Sequence, residues 1–441
     1  MRRSIVTVFV ATLFIVPGAS PAIAQTLDWS DPEAVVRAAV DAHPSLAGLA
    51  AETRAAKERV TSAGSLPNPM LMAGIRDQQV DLTRDEMMTM YMVGASQTLV
   101  RKDRRDARKR AAELDVERLE RDYESRRAEV EREARLAWVE AASAQNQIAA
   151  TEEIARLVGS IVDASRIRYE TGSAPQADMI RARLEQSNIL HELITLRRER
   201  AVAVARLLPL LQLPPTTEVP PFSMKHAMER HHEHGFDPHV GDTPATAALE
   251  TEAARAEQEI RLAKLTAKPD FDIEASYGMR PQQKDMFSVT ARVEIPFRKS
   301  TLIEPRIREA MARRDAARAA LDTLRQQLRQ DIAVAVAMRD EAIQQIDLHV
   351  DRLVPEAKLG FESSLASYQT ARTTFDSVLA SLQAYRALNV DYYQFLRQLT
   401  EAEVEIDAIR HGARGGAGVN AASPAGVSRT SAPSNSSMEM K

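Results

Sequence analysis

The sequence predicts a mainly α protein with a small β part, built from two similar halves. Hydrophobic residues make up 44% of the 441 residues but aromatic residues only 5%, which suits long helices packed through narrow seams better than thick globular cores. Apolar residues such as Ile154, Leu157 and Ile161 recur every three or four positions, which is the spacing of helices. The net charge of −4 offers no basic face for nucleic acid.

The N-terminus has the pattern of a secretory signal peptide. Arg2 and Arg3 precede an apolar run at 5–16, and Ala22 and Ala24 supply the small residues that a signal peptidase requires. We therefore expect residues 1–24 to be removed on export. The absence of cysteine excludes disulfides and a cysteine-borne lipid anchor. No later apolar run reaches the roughly 18 residues of a spanning helix, so strands would have to cross a membrane.

Helix breakers define the first half, which we assign to 25–208. Asp31 and Pro32 open a helix, and Gly64 with the Leu-Pro-Asn-Pro stretch at 66–69 ends it. The predicted elements are a helix at 32–62, strands at 70–75 and 88–97, a long helix at 102–169 and a return helix at 175–208. A helix of about 68 residues spans roughly 100 Å, about twice the length of its neighbours. We therefore expect a rod with strands at one end and helix–helix turns at the other.

The second half, 244–410, repeats this order after a Pro- and His-rich linker at 209–243. Its predicted elements are a helix at 244–266, strands at 271–277 and 287–295, a long helix at 303–368 and a final helix at 375–409. The tail at 411–441 is rich in Gly, Ala, Ser and Pro, a composition typical of disorder. Duplication is supported because residues 66–69 correspond to 266–269, 97–102 to 294–299, and 169–180 to 368–379.

The predicted strands are amphipathic. In the second pair, apolar residues from Phe271 to Tyr277 and from Phe287 to Ile295 alternate with polar ones. A transmembrane barrel strand needs this pattern, although a half-buried soluble sheet shows it too. Four strands cannot close a barrel, because small barrels need about eight and an open edge is not tolerated in lipid. The chain would have to oligomerise, and three copies would supply twelve strands.

Together these parts resemble the TolC family of outer-membrane efflux proteins, and most nearly its CusC-like and CzcC-like heavy-metal branch. The matching motifs are residues 66–69, the Ser-Gln-Thr-Leu exit at 96–99, and Tyr169-x-x-Gly172 followed by Asp178, with their echoes in the second half. The resemblance implies a homotrimer with a twelve-stranded barrel in the outer membrane of a Gram-negative cell. It also implies a coiled-coil α-barrel that forms a periplasmic tunnel, a periplasmic adaptor protein at the tunnel's far end, and an RND-type pump in the inner membrane.

The resemblance further implies roles for the residues around the two predicted helix–helix turns. Adaptor contact is expected at Tyr169, Thr171, Gly172, Ser173, Tyr368, Thr370, Ala371 and Arg372, with packing residues or gate latches as the alternative roles of Tyr169 and Tyr368. Carboxylates that ring the aperture are expected at Asp178 and Asp376, although an Asp near a helix N-terminus also commonly satisfies free backbone amides. Ala371 departs from the glycine at the equivalent Gly172, and glycine is the residue that such turns favour.

Two groups of residues suggest a metal cargo. Five histidines fall in one segment of the linker: His226, His231, His232, His234 and His239. Imidazole and thioether groups suit copper, although an exposed polar linker would look the same. A methionine cluster adjoins the first strand pair, and alignment with the second pair turns Met70 and Met72 to the lumen but Met90 and Met92 to lipid. Apolar filling explains the latter pair.

The sequence therefore predicts a passive exit duct for substrates, heavy-metal ions such as copper among them, that an inner-membrane pump delivers. An exit duct for drugs or for type I secretion has the same pattern, and a structural coiled-coil or adaptor protein is a further alternative. No enzyme is expected, because His191-Glu192 lacks the second zinc-ligand histidine and no phosphate-binding loop occurs. No cofactor is expected.

Overall fold

The computed structural model describes residues 27–77, 89–224, 241–281, 283–295 and 297–413. The first half contains two short helices, two strands, a long helix and a return helix. They are α1 (Pro32–Ala42), α2 (Pro44–Ala63), β1 (Met70–Arg76), β2 (Met90–Leu99), α3 (Lys102–Glu170) and α4 (Gln176–Leu210). Asp31 caps α1 by accepting from the Glu33 amide at 3.0 Å, as its position before Pro32 predicts.

The second half repeats this order. Its elements are α5 (Pro244–Leu265), β3 (Phe271–Met279), β4 (Met286–Val293), α6 (Glu304–Leu348), α7 (Val354–Gln369) and α8 (Phe375–Arg410). Thr243 and Thr246 form a reciprocal capping box at the start of α5. The order of helices and strands in the two halves is therefore as the sequence predicts.

Two predicted helices are interrupted at prolines. The helix expected at 32–62 breaks at His43, which adopts an extended conformation because the ring of Pro44 disfavours the helical one. The long helix expected at 303–368 begins with a π-helical turn at Lys299–Ile303 and widens into a second one at His349–Leu353. Pro355 lies just beyond the second turn. Proline cannot donate to the preceding turn and clashes with it, and a wider turn relieves that clash.

The strands form one antiparallel sheet in the order β1-β2-β3-β4. Thr98 lies opposite Asp272, and Ser276 lies opposite Ser288, so polar residues of neighbouring strands share a face. The other face carries apolar residues, with Val93 opposite Tyr277. The outer edges of β1 and β4 pair with no strand among the described residues.

The helices pack in a continuous series that follows the order of the strands. Next to the sheet, α2 packs on α3, α3 on α5, and α5 on α6. Further along, α4 packs on α3, α3 on α8, and α8 on both α6 and α7. None of the described helices combines the length and hydropathy needed to cross a membrane.

Two buried clusters hold this series of helices together. In the first, the indole of Trp138 stacks on Phe222 at 5.5 Å and donates to the carbonyl of Trp29 at 2.8 Å. The second cluster joins α3 and α4 to α7 and α8 through residues that include Ile189, Phe361 and Tyr368. The second cluster therefore ties the two halves together near the helix–helix turns.

A charged cluster joins the sheet to the helices. Arg104 on α3 pairs with Asp270, just before β3, and it also donates to the carbonyl of Leu265 at 3.0 Å. Nearby, hydrogen bonds from Arg101 and from Lys268 lower the pKa of Asp103 to about 2. These contacts fix the start of α3 against the loop that leads into β3.

Candidate functional site

The two helix–helix turns have the same backbone conformation. Gly172 and Ala371 both have positive φ, at 72° and 64°. The amide of Ser173 donates to the carbonyl of Arg168 at 2.7 Å, and the amide of Arg372 donates to that of Ser367 at 2.8 Å. Ala371 thus adopts the turn of its glycine counterpart, although a left-handed conformation costs an L-residue about 1–2 kcal/mol.

Arg168 links the two turns. Its guanidinium lies 4.2 Å from the centroid of the Tyr368 ring and donates to the Tyr368 carbonyl at 2.7 Å. It also donates to the carbonyl of Ser173 at 2.9 Å, within its own turn. One side chain therefore holds its own turn closed and attaches it to the end of α7.

Tyr368 is buried between the hairpins. It is 1% exposed, and its ring meets that of Phe375 edge-on at 5.7 Å. Its hydroxyl donates to Oδ2 of Asp178 at 3.2 Å. Burial, the nearby negative charge of Asp178 and this hydrogen bond raise the pKa of Tyr368 to about 12. The residue is therefore a neutral donor that connects α7 to α4.

The two predicted aperture carboxylates have different partners. Asp178 lies in the first turn of α4, but α4 has no side-chain cap, so the carboxylate serves Tyr368 rather than backbone amides. Asp376 lies in the first turn of α8 and accepts from Arg181 at 2.6 Å in an exposed ion pair. Both contacts cross from one hairpin to the other.

The duplication is incomplete at this end of the molecule. Arg168 corresponds to Ser367 in the second half, and Asp178 corresponds to Ser377. Tyr169, the counterpart of Tyr368, is 42% exposed. The contacts of Arg168, Tyr368 and Asp178 therefore join the two hairpins of one chain, but the second repeat has no residues to form them again.

The predicted adaptor-contact residues lie together at this end, with one exception. Tyr169, Thr171, Gly172 and Ser173 are exposed, as are Thr370, Ala371 and Arg372. Tyr368 is instead buried between the hairpins, where it holds the tip together and presents no side chain to a partner. The exposed tip is therefore made of two short turns with small and polar side chains.

Methionines occupy the polar face of the sheet. Five methionines lie on the same face of the sheet as these polar residues: Met70, Met72, Met90, Met92 and Met286. The prediction that Met90 and Met92 face lipid is therefore wrong. Met92 lies between Gly74 and Gly278, and a Cβ on Gly278 would lie 2.3 Å from the sulfur of Met90. Glycine at that position makes room for a thioether on the polar face.

Comparisons with known proteins concern both sequence and fold. The family model described as outer membrane efflux protein matches residues 35–211. The solved structure of the outer-membrane channel OprN matches 87% of this chain and 91% of its own, with a TM-score of 0.74 at 17% identity. The chain has the outer-membrane efflux channel fold. No curated protein matches it in sequence.

Other solved outer-membrane proteins and channels share this fold to a similar extent. VceC from Vibrio cholerae matches with a TM-score of 0.71 at 16% identity, covering 86% of this chain and 96% of its own. CusC matches with a TM-score of 0.71 at 15% identity, covering 86% and 91%. The predicted mainly α fold with a small four-stranded sheet is confirmed. The expected CusC-like branch is not singled out, because OprN and VceC match at least as well.

Three residues with contacts or positions of interest could not be found from the sequence alone. Arg168, Arg181 and Met286 were not predicted, because their partners lie far away in the sequence or on a neighbouring strand. A basic residue in the last turn before the Gly172 turn was the available signal for Arg168.

The five linker histidines lie outside the described residues. Among the described residues, no group of three or more His, Asp or Glu could hold a metal ion.

Proposed function

We propose that this protein is the outer-membrane channel of a tripartite efflux system. In this proposal three copies form a twelve-stranded barrel in the outer membrane of a Gram-negative cell and a helical tunnel that extends into the periplasm. The single observation that carries the proposal is the outer-membrane channel fold, which matches over 87% of the chain and is supported by the family match at 35–211. Outer membrane efflux proteins are transport ducts, so the chain has no catalytic role.

The two ends of the rod differ in a way that fits this function. The open sheet, with an apolar face, is at one end, and the two hairpin turns are at the other. A sheet with an apolar outer face suits lipid, and its polar inner face suits an aqueous lumen. The exposed turn residues Tyr169, Thr171, Gly172, Ser173, Thr370, Ala371 and Arg372 would then meet a periplasmic adaptor protein, which connects the tunnel to an RND-type pump.

Asp178 is the better candidate for the aperture. Threefold repetition would bring three half-buried Asp178 carboxylates towards one axis, which would favour cations there. Asp376 is paired with Arg181, so its charge is already balanced within the chain. The hydrogen bond from Tyr368 holds Asp178 in place without neutralising its charge.

Soft metal ions, copper(I) above all, are the cargo that the sheet favours within this function. Five thioethers lie on its polar face at Met70, Met72, Met90, Met92 and Met286, and thioethers prefer soft ions. The linker histidines His226, His231, His232, His234 and His239 would add imidazole ligands. Drugs or secreted proteins remain the alternative cargo of the same duct, and they require no thioether.

A complementation experiment tests both the proposed efflux function and the proposed metal cargo. A strain that lacks the channel should regain tolerance to pump substrates when the wild-type gene is restored, and failure with every metal and drug tested would contradict the duct. Replacing Met70, Met72, Met90 and Met92 with Leu should lower copper and silver tolerance but leave drug tolerance unchanged. Met279→Leu is the matched control, because Met279 pairs with Tyr91 on the apolar face. Equal tolerance in the fourfold variant would reject the metal cargo.

A further inference from the structure

Three methionines lie around one glycine on the polar face of the sheet. Met92 on β2 pairs with Gly278 on β3, and Gly278 pairs with Met286 on β4, so the glycine lies between two methionines. Met90 shares this face because it lies two residues before Met92 on the same strand. Its sulfur occupies the space that a side chain at Gly278 would need. The Met90 thioether therefore lies between the other two methionines.

The spacing of the strands lets the three sulfurs meet. Neighbouring strands lie about 4.8 Å apart, so the backbones of Met92 and Met286 are separated by roughly 10 Å across Gly278. Methionine has three rotatable bonds and adapts to a gap of this size, and the missing side chain of the glycine leaves the space between them free. Met90 is 9% exposed and Met286 is 42% exposed. One thioether is therefore held by packing, while another remains open to solvent.

The arrangement is one-sided about Met92. On its other side Met92 pairs with Gly74 on β1, and nothing lies within 4 Å of a Cβ at that glycine. The Met90 side chain thus leans over Gly278 and not over Gly74. The two glycines that flank Met92 have the same residue type and face, but only one of them lies beneath a thioether.

We propose that the thioethers of Met90, Met92 and Met286 form a binding site for one soft monovalent cation, copper(I) or silver(I), in each chain. This inference rests on the proposed function, and it narrows the metal cargo to one site among the methionines of the polar face. Thioethers are soft ligands that select copper(I), whereas zinc(II) and nickel(II) favour imidazole.

The site lies at the end of the sheet away from the helices. It is at the start of β2 and β4 and at the end of β3, and α3 follows the other end of β2. Arg76 lies opposite Met90, and the guanidinium of Arg280 contacts the sulfur of Met286, so two positive charges border the site. Their repulsion lowers the affinity for a cation, which suits a conduit, because a transported ion has to leave each site that it enters. In the proposed duct this end is the exit.

The two glycines that flank Met92 provide a matched test that removes no sulfur. Gly278→Ala places a Cβ where the Met90 sulfur lies, whereas Gly74→Ala places one in open space. Each full-length variant is purified in detergent and titrated with silver(I), a redox-stable probe for copper(I), by calorimetry. We expect Gly74→Ala to bind silver(I) like the wild type, and Gly278→Ala to weaken the tightest site by roughly 10–100-fold, as for other losses of support to a metal ligand.

Methionine methyl resonances test the same site in the unaltered chain, so the result does not depend on the folding of a variant. The ε-methyl signals of Met90, Met92 and Met286 are assigned from the single Met→Leu variants. We expect these three signals to shift together and to saturate at one silver(I) ion per chain. The signal of Met279, which pairs with Tyr91 on the apolar face, should stay in place. Zinc(II) should shift none of the four signals.

Two results would overturn the site. One is separate saturation of the three methyl signals, or no shift in any of them. The other is a Gly278→Ala variant that binds silver(I) as tightly as Gly74→Ala. If the wild-type gene still restores tolerance to pump substrates in either case, the site fails and the duct stands. If the wild-type gene restores no tolerance although the three signals shift together, the duct fails and the site stands.

Discussion

The guanidinium of Arg168 lies 4.2 Å from the centre of the Tyr368 ring, so a residue at the end of α3 is held by one at the end of α7. Tyr368 in turn donates to Asp178 on α4, which follows the first turn. Three side chains therefore connect the two hairpins within one chain. Ser367 and Ser377 replace Arg168 and Asp178 in the second repeat, so these contacts are not repeated there.

Replacing Arg168 should loosen the first turn. Arg168→Ala removes a cation–π contact worth about 0.5–1 kcal/mol and charge-assisted hydrogen bonds to two carbonyls worth about 1.5–3 kcal/mol each at most. We expect a loss of about 2 kcal/mol in local stability, which should speed amide hydrogen exchange at Ser173 and Ala174 by roughly 30-fold.

Arg166→Ala is the matched control for Arg168→Ala. Arg166 is exposed on the same helix and contacts only Asp163 among the described pairs, at 3.5 Å. Its removal should leave exchange at the turn unchanged. Equal exchange rates in the two variants would mean that Arg168 does not hold the turn.

Gly172→Ala should destabilise the first turn, whereas Ala371→Gly should not destabilise the second. Gly172→Ala places a side chain in the left-handed region and should destabilise the turn by about 1 kcal/mol. Nothing lies within 4 Å of a Cβ at Gly172, so this cost comes from the backbone conformation alone. Ala371→Gly should relieve the same strain, partly offset by the greater freedom of glycine in the unfolded chain.

Urea unfolding of the two turn variants in detergent, followed by circular dichroism, would give the sign of each change. Gly172→Ala should lower the midpoint, and Ala371→Gly should leave it equal or raise it. A clear loss of stability in Ala371→Gly would contradict the view that the two turns are alike.

The titration of Tyr368 should occur well above the ordinary range. The pKa of Tyr368 is raised to about 12 from 10.0 by burial, by the charge of Asp178 and by the hydrogen bond to it. Because the folded pKa exceeds the unfolded one, the stabilisation is complete below pH 10 and is lost as the pH rises through 12. Tyr368→Phe should remove this part of the pH dependence.

Absorbance at 295 nm would show the titration of Tyr368 as the difference between the wild type and Tyr368→Phe. We expect the difference to rise near pH 12. Tyr169→Phe, at the exposed counterpart, provides the control. A step for Tyr368 near pH 10 would show that its hydroxyl is neither buried nor bonded to Asp178.

The joint between sheet and helices should depend on Arg104 and Asp270. Their side chains are 14% and 20% exposed, so this salt bridge is neither fully exposed nor fully buried. An exposed salt bridge contributes at most about 1 kcal/mol, whereas breaking a buried one costs about 3–5 kcal/mol. We expect Arg104→Met and Asp270→Asn each to cost about 2 kcal/mol, and the double variant to cost less than their sum. Arg121→Met, which breaks an exposed pair with Glu124, should change little.

Thermal unfolding of the wild type, the two single variants and the double variant, followed by circular dichroism, completes the double-mutant cycle. Additive losses would mean that Arg104 and Asp270 act independently. The expected coupling would show that α3 and the loop before β3 are held together by this pair.

The helices and strands were predictable because residues at their ends signal the boundaries by their own local chemistry. Asp31, Pro32 and Gly64 mark helix ends by their own chemistry, and the structure places those ends within a few residues of expectation. The polar face of β3 was also predictable from alternation. Met90 and Met92 were misplaced because the face of β2 is set by its register against β1 and β3, and no residue within β2 reveals that register.

The candidate site at the tip was only partly predictable. The first turn follows from Gly172, but Ala371 adopts the same conformation without a glycine, which only the repeat suggested. The bonds from Arg168 to Tyr368 and from Tyr368 to Asp178 depend on how the hairpins pack, because sequence spacing carries no information about residues so far apart. Packing also buries Tyr368, for which the sequence left both adaptor contact and a packing role open.

The number of chains in the membrane-extracted particle tests the central claim most directly. The protein should resist extraction by salt or alkali, dissolve only in detergent, and show by light scattering a protein mass of three chains per particle. In the proposed trimer each chain contributes its four strands, so that three chains supply the twelve strands of the barrel. A single chain that remains soluble in buffer without detergent would contradict the account.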